Sequence, residues 1–170
     1  MKQQSESEML YRMAAWCSLA ERCTHDVQKK IANAGLSPDA QERIIARLLK
    51  EKFIDENRFA SSFVNDKLRF NKWGRIKIAY ELNKRKIAPD IRMEALERID
   101  EQTYQTILLT LLKAKKKITK GTTDRDVFNK LLRFAAGRGF ESKETISCLR
   151  LLFKGNDYEE ENAGYEADFD

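Results

Sequence analysis

A short phrase that recurs about every 50 residues limits what this chain can fold into. Ala34-Gly35-Leu36-Ser37-Pro38-Asp39 returns 51 residues later as Arg85-Lys86-Ile87-Ala88-Pro89-Asp90, and a weaker copy, Arg138–Lys143, follows after 53 more. Each copy lies between two short amphipathic stretches. Small helical units repeated in tandem bury their apolar faces against their neighbours, and they offer an extended binding surface rather than a catalytic pocket.

Helix signals flank each copy of the phrase. Ser5 has the spacing of a capping box with Glu8, and Thr24 is predicted to cap a second helix that ends at Gly35. Ser37, followed by proline, is a strong start for a third helix. No segment shows the alternation that is typical of a strand. The sequence therefore predicts an all-α fold of three tandem three-helix repeats in an elongated, curved array.

The repeats also predict how the chain is divided. We expect the first repeat to cover residues 1–54, the second 55–99 and the third 100–154, with three helices in each. In the third copy of the phrase, Ser142 falls one residue too late for the capping role of Ser37. Residues 155–170 are acidic and lack helical periodicity, which predicts a disordered tail.

Charge is distributed unevenly along the chain. The 170 residues carry a formal net charge of +5, but residues 157–170 contribute seven acidic side chains and no basic ones, so residues 1–156 carry +12. A basic body of this kind suggests an anionic partner, and nucleic acid first, because Lys and Arg neutralise phosphates and release counterions. The alternative is a lysine-rich surface that only confers solubility.

Basic residues are densest in the middle of the chain. Residues 67–92 contain nine Lys or Arg against two acids, with Phe70, Trp73 and Tyr80 among them, a pattern that suits a nucleic-acid backbone and base stacking. Phe70 and Trp73 are, however, better interpreted as plugs between helices. Residues 113–120 add five lysines, either as a phosphate-contacting loop or as a soluble helix end. The residues predicted to contact a partner or DNA are Lys67, Arg69, Lys72, Arg75, Lys77, Arg85, Lys86, Lys115, Lys116 and Lys117.

Motifs for catalysis or for binding metals and cofactors are absent from the sequence. The three cysteines lack metal-ligand spacing, which predicts reduced thiols in a cytoplasmic protein, and His25 is the single histidine. There is no Walker A loop, GxGxxG or GxSxG. No apolar stretch could span a bilayer, and the polar start is unlike a signal peptide. We expect no enzyme activity, no cofactor and no membrane association.

Two other classes of function stay open on these residues alone. The predicted helix that begins at Pro38 offers Gln41, Arg43 and Arg47, which would permit a helix-turn-helix transcriptional regulator to contact base edges. A helical scaffold that binds a protein and no nucleic acid is the third hypothesis.

The middle of the chain resembles a known family. The similarity is to the RecX family of regulatory proteins. It lies in Leu48-Leu49 and Phe53-Ile54-Asp55-Glu56-Asn57-Arg58-Phe59-Ala60, followed by Phe63-Val64, Arg75, Tyr80-Glu81-Leu82 and Lys86-Ile87. The resemblance covers residues 9–153. It departs from the family at Lys86, where a glycine is usual, and this lysine predicts a helix end without left-handed backbone.

The resemblance implies a function without chemistry. RecX proteins modulate the RecA recombinase by binding the filament that it forms on single-stranded DNA. The chain is therefore expected to be a monomeric, non-enzymatic regulator of homologous recombination and the SOS response that mostly inhibits RecA. Its expected partners are the RecA filament and single-stranded DNA, with duplex DNA as an alternative.

Overall fold

The computed structural model describes residues 5–153, and every regular element within them is an α-helix. In chain order these helices are α1 (Glu6–Leu19), α2 (Thr24–Ile31), α3 (Pro38–Lys50), α4 (Glu56–Arg69), α5 (Arg75–Lys84), α6 (Pro89–Glu97), α7 (Glu101–Ile118), α8 (Asp124–Gly137) and α9 (Ser142–Leu152). The predicted all-α fold is confirmed. The predicted acidic tail at 155–170 lies outside the described residues.

Side-chain caps start several helices where the sequence predicts them. The Ser5 hydroxyl accepts a hydrogen bond from the Glu8 amide, and the Glu8 carboxylate accepts one from the Ser5 amide, so the capping box of α1 is confirmed. Ser37 caps α3 in the same way, with proline in the first turn. Asp100 caps α7 through the Thr103 amide.

The start of α2 differs from the prediction. Thr24 is the first helical residue rather than the cap, because Cys23 holds the N-cap position and has no side-chain hydrogen bond there. The Thr24 amide donates instead to Oε1 of Glu56, at 3.2 Å. A carboxylate from α4 thus satisfies an amide that a local cap would ordinarily satisfy.

The repeated phrase corresponds to a repeated backbone conformation. Gly35, Lys86 and Gly139, which occupy the same position in the three copies, have φ angles of 75°, 56° and 88°. The prediction that Lys86 avoids the left-handed region is therefore wrong. The amides of Lys86 and Ile87 donate to the carbonyls of Asn83 and Leu82, a helix-ending pair of bonds that offsets a strain of roughly 1–2 kcal/mol.

The chain folds into two compact units. The first comprises the described residues up to 63 together with 82–95, and the second comprises 64–81 together with the described residues from 96 onward. The boundaries fall inside the predicted middle repeat. The assignment of three sequential repeats stays a prediction.

In the first unit, α1 and α2 both pack on α3. Apolar residues four positions apart face the core on each helix, as the helical period requires. The buried cluster consists of Met9, Met13, Cys17, Val27, Ile31, Ile44, Leu48 and Ile54.

In the second unit, α7, α8 and α9 pack against one another. Two aromatic pairs join them: the rings of Tyr104 and Phe140 lie 5.4 Å apart, and those of Phe128 and Phe153 lie 5.7 Å apart. Leu108, Leu112, Leu131 and Leu149 are completely buried, so the three helices enclose a continuous apolar core.

The start of α5 meets the joint between α8 and α9 through direct backbone contact. The Gly74 amide donates to the carbonyl of Arg138 at 2.8 Å, and the Ile76 amide donates to the carbonyl of Gly139 at 3.0 Å. A Cβ at Gly74 would lie under 3.0 Å from the Gly139 backbone, and a Cβ at Gly139 would lie as close to Lys77. Neither position can carry a side chain without displacing the other segment.

Arg75 adds a partly buried set of polar contacts, here called the Arg75 clasp, to this contact. Its guanidinium donates to Glu141 at 2.9 Å and to Glu101 at 2.6 Å, and its amide donates to the hydroxyl of Tyr104 at 3.1 Å. The Tyr104 hydroxyl donates in turn to Glu141, while its ring lies 3.9 Å below the guanidinium carbon. Burial and the Glu141 carboxylate raise the pKa of Tyr104 above its ordinary range, so the hydroxyl remains a donor.

Glu141 also explains the degenerate third copy of the phrase. It holds the N-cap position of α9 but makes no local cap, since its carboxylate is engaged by Arg75 and Tyr104. Ser142 is already inside α9, which confirms that it falls one residue late for capping.

We expect Gly139→Ala to destabilise the protein strongly. The new methyl group would meet α5 at a position whose φ of 88° already disfavours alanine, so the loss is roughly 2–4 kcal/mol of unfolding free energy. Gly137→Ala is the matched control. A Cβ at Gly137 meets nothing within 4 Å, and helical alanine should add up to about 1 kcal/mol. Urea titrations would measure both changes, and equal effects of the two variants would contradict the assigned contact.

Candidate nucleic-acid interface

The end of α4, the turn after it and the start of α5 form a basic surface in the second unit. We call it the α4–α5 basic surface and define it by Lys67, Arg69, Lys72 and Lys77 around Trp73. The Lys67 and Lys77 ammonium groups lie 4.8 and 4.6 Å from the centre of the Trp73 ring. The indole therefore holds two cations near one point by cation–π attraction.

Two further cations of this surface are positioned by the end of α4. The Arg69 side chain donates to Asn65 at 2.8 Å, and its positive charge also helps to lower the pKa of Asp100. Lys72 has a φ of 56°, and its ammonium group donates to the Arg69 carbonyl at 2.5 Å. In the part of the chain that the structure describes, no carboxylate pairs with Lys72 or Lys77.

Aromatic side chains near this surface differ in exposure. Trp73 is half-buried between its two lysines, whereas Phe70 is 78% exposed. The interpretation of Phe70 as a plug between helices is wrong, since the end of α4 directs its ring into solvent. Ile76 and Tyr80, one turn apart on α5, are also exposed, at 48% and 40%. The same segment of the second unit thus exposes apolar side chains as well as cations.

Arg75 is predicted to contact a partner, but its side chain is occupied inside the second unit. Burial acts to lower the pKa of the guanidinium, and the hydrogen bonds and charges of Glu141 and Glu101 raise it above the ordinary value. The two carboxylates neutralise its charge. We assign Arg75 a role in positioning Trp73 and Lys77, which flank it in the sequence.

Arg85 and Lys86 belong to the first unit. The Arg85 guanidinium carbon lies 4.9 Å from the centre of the Phe63 ring. Lys86 is exposed and projects from the left-handed end of α5. Both residues can present positive charge to a partner of the first unit.

Lys115, Lys116 and Lys117 lie in the last turn of α7, so the segment is a helix end and not a flexible loop. The Lys115 ammonium lies 4.9 Å from the Phe134 ring, and that of Lys116 lies 4.2 Å from the Phe153 ring. Lys116 also donates to the Leu152 carbonyl at the end of α9. Lys117 is exposed. Two of these lysines therefore stabilise helix packing, and the third is available at the surface.

The residues that would read base edges in a helix-turn-helix are engaged elsewhere. Arg43 forms two hydrogen bonds with Glu6 at 2.8 and 2.9 Å, and Arg47 pairs with Glu51 at 2.6 Å. The Gln41 amide donates to the Leu36 carbonyl. The polar side chains on the outer face of α3 thus bind other residues of the first unit.

Metal-ligating side chains are dispersed, and the thiols are buried, among residues 5–153. No group of three His, Cys, Asp or Glu side chains in this range is placed to hold a metal ion. Cys17, Cys23 and Cys148 are free and buried, and burial raises the pKa of the Cys23 thiol to about 12. No helix among these residues is long and apolar enough to cross a bilayer.

Comparison with known proteins identifies relatives that are named regulatory protein RecX. The family model described as "RecX, second three-helix domain" matches residues 55–96. The regulatory protein RecX of Pelodictyon phaeoclathratiforme is 30% identical over 129 residues, which cover 75% of this chain and 78% of the relative. That of Clostridium acetobutylicum is 28% identical over 158 residues, covering 89% and 73%. The match to the Lactobacillus johnsonii protein, 27% identical, covers 61% of this chain but only 38% of the relative.

Solved structures share the fold. The crystal structure of RecX from Lactobacillus salivarius superposes with a TM-score of 0.74 at 20% identity, covering 86% of this chain and 96% of that one. A second crystal structure, of a regulatory protein RecX, has a TM-score of 0.76 at 19% identity, covering 85% and 71%. The relatives are named as regulatory proteins rather than enzymes. With a relative 30% identical over most of both chains and the same helical fold, the chain belongs to the RecX family.

Proposed function

We propose that this chain is a non-enzymatic, cytoplasmic regulator of homologous recombination and the SOS response. In this proposal it binds the filament of RecA recombinase on single-stranded DNA as a monomer and mostly inhibits RecA. The observation that carries the proposal is the α4–α5 basic surface in a chain of the RecX family. Duplex DNA is a further ligand to be tested.

The α4–α5 basic surface suits a phosphate backbone for a physical reason. Trp73 restrains the ammonium groups of Lys67 and Lys77, so less side-chain entropy is lost when a phosphate binds them. Each phosphate neutralised releases counterions, and the affinity then falls as salt rises. Phe70 provides an exposed ring on which an unpaired base, or an apolar part of the filament, can pack.

Several weak contacts along a filament would add up. Lys86 and Lys117 are exposed cations on the first and second unit, and the filament repeats its phosphates and protein surfaces many times. Contacts joined within one chain gain affinity from a high effective concentration. A regulator bound in this way changes the packing of neighbouring RecA subunits, and it needs no catalytic residue of its own.

Neither alternative function is favoured by a specific contact. A helix-turn-helix regulator would have to free Arg43 and Arg47 from Glu6 and Glu51 before either could reach a base. A scaffold that binds only protein would not need the cations around Trp73 for contact with DNA, so removal of these charges tests it.

Removing the charges around Trp73 should weaken inhibition of RecA. We expect the triple variant Lys67→Gln, Lys72→Gln, Lys77→Gln to require on the order of 10-fold more protein for half-maximal inhibition of the single-stranded-DNA-dependent RecA ATPase. The matched control, Lys50→Gln, Lys120→Gln, Lys143→Gln, removes three exposed charges elsewhere and should inhibit like the original chain. Circular dichroism would verify folding.

Equal inhibition by the two triple variants would contradict the assignment of the surface. Failure of the original chain to affect the RecA ATPase or the filament length would contradict the proposed function.

Lys86 should show opposed effects on stability and function. Because glycine adopts a φ of 56° without strain, Lys86→Gly should raise the unfolding free energy by up to about 1 kcal/mol while it weakens filament binding. Lys52→Gly is the matched control, since Lys52 has a φ of 59°, the same pair of helix-ending hydrogen bonds and no predicted partner contact. It should be equally stabilised and inhibit normally. Chemical denaturation and the ATPase titration measure the two effects, and identical inhibition by both glycine variants would show that the Lys86 charge is not used.

A further inference from the structure

A second combination of tryptophan and cations lies in the first unit, at residues outside the predicted binding set. It is an open pocket of about 440 Å³ between the end of α1 and the outer face of α2. Its lining contains three cations and one carboxylate around an indole: Trp16, Arg22, Asp26, Lys29 and Lys30. The size and the excess of positive charge suit an anionic group as large as a nucleotide.

Trp16 restrains two of these cations. The Arg22 guanidinium carbon lies 4.2 Å from the centre of the Trp16 ring, and the Lys30 ammonium lies 4.6 Å from it. Trp16 is half-buried, so its ring is fixed by the packing of α1. The arrangement matches that of Lys67 and Lys77 on Trp73 in the second unit.

Helix electrostatics account for the lysines, but they act on the arginine in opposite directions, because Arg22 also follows the C-terminal end of α1, where positive charge is favoured. Lys29 and Lys30 occupy the last turn of α2, where the helix dipole favours positive charge. Arg22 immediately precedes the N-cap of α2, where the same dipole disfavours it. Its Nε atom is also buried without a hydrogen-bond partner. A bound anion would complement the helix end and accept from the terminal amino groups of the guanidinium.

The openness of the pocket indicates which anion binds there. A free small molecule would leave most of its surface in water in a site of this kind, whereas tight small-molecule sites enclose their ligands. One segment of a polymer gains affinity from neighbouring contacts. The terminal amino groups of an arginine offer parallel donors that match a phosphate, and the indole provides a surface for the adjoining sugar or base.

We propose that Trp16, Arg22 and Lys30 form a second binding site for the backbone of single-stranded nucleic acid, with one phosphodiester held between Arg22 and Lys30. This inference rests on the proposed function, since it assigns that ligand to a further place on the chain. Asp26 opposes binding from the rim of the site. Its carboxylate therefore lowers the affinity of the site for a polyanion.

The two tryptophans allow the two surfaces to be tested separately. Trp16 and Trp73 are the only tryptophans in the sequence. In the Trp73→Phe variant, fluorescence reports on the pocket alone, and in Trp16→Phe it reports on the α4–α5 basic surface alone. An oligothymidylate of about 30 nucleotides is the probe, and polyglutamate of similar length tests an acidic protein as the ligand.

The proposal predicts that oligothymidylate changes the Trp16 emission of the Trp73→Phe variant. In the otherwise unchanged chain, Arg22→Gln should weaken oligothymidylate binding roughly 3–10-fold and reduce the slope of log affinity against log salt by about 0.7. Lys50→Gln removes one exposed charge of the same unit outside the pocket. It should change the affinity for oligothymidylate by less than 2-fold and leave the salt slope unchanged. Asp26→Asn should strengthen binding.

Three results would overturn the proposal. If Trp73 responds to oligothymidylate while Trp16 is silent and Arg22→Gln behaves like Lys50→Gln, the pocket is not a nucleic-acid site and the proposed function stands. If Trp16 responds to polyglutamate but not to oligothymidylate, the ligand is an acidic protein segment. If neither tryptophan responds and the chain still inhibits RecA filaments, regulation occurs through protein contacts alone.

Discussion

The contact between the backbones of Gly74 and Gly139 is the constraint on which the second unit depends. Two hydrogen bonds join the start of α5 to the α8–α9 joint, and neither glycine has room for a Cβ. Arg75 secures the same place by binding Glu101, Glu141 and the buried Tyr104. Trp73 and Lys77 each lie two residues from Arg75, so the backbone that carries them is anchored beside these contacts. The candidate interface therefore adjoins a tightly packed, hydrogen-bonded contact within the unit.

The equivalent position in the repeated phrase is occupied by different residues along the chain, with different consequences. Gly35 and Gly139 adopt left-handed backbone at low cost, whereas Lys86 does so under strain and places a charge at the surface. Lys72 is strained in the same sense within the α4–α5 basic surface. Strain of this kind persists where the surrounding structure enforces it, and it often accompanies function. The repeat thus provides the scaffold, and lysines at its joints provide charge without lengthening any loop.

Local patterns predicted much of this structure, and long-range contacts account for what they missed. The capping box at Ser5 and the proline start after Ser37 depend on neighbours in the sequence, so spacing alone predicted them. The helical period predicted the fold class for the same reason. Thr24 was mispredicted because Glu56, 32 residues away, satisfies its amide. The Arg75 clasp spans 66 residues to Glu141, and nothing near Arg75 distinguishes it from the other cations of the basic stretch. The pocket at Trp16 was missed because Arg22 and Lys30 are too widely spaced to form a charge run.

The central claim is that the α4–α5 basic surface contacts DNA in the RecA filament. The most direct measurement is photo-crosslinking with RecA filaments assembled on single-stranded DNA that contains 4-thiothymidine, followed by mass spectrometry of the crosslinked peptides. We expect crosslinks within residues 67–77, centred on Phe70 and Trp73, that disappear when salt dissociates the complex. Filament-bound protein that crosslinks only through the outer face of α3, or that shows no crosslink to DNA, would contradict it.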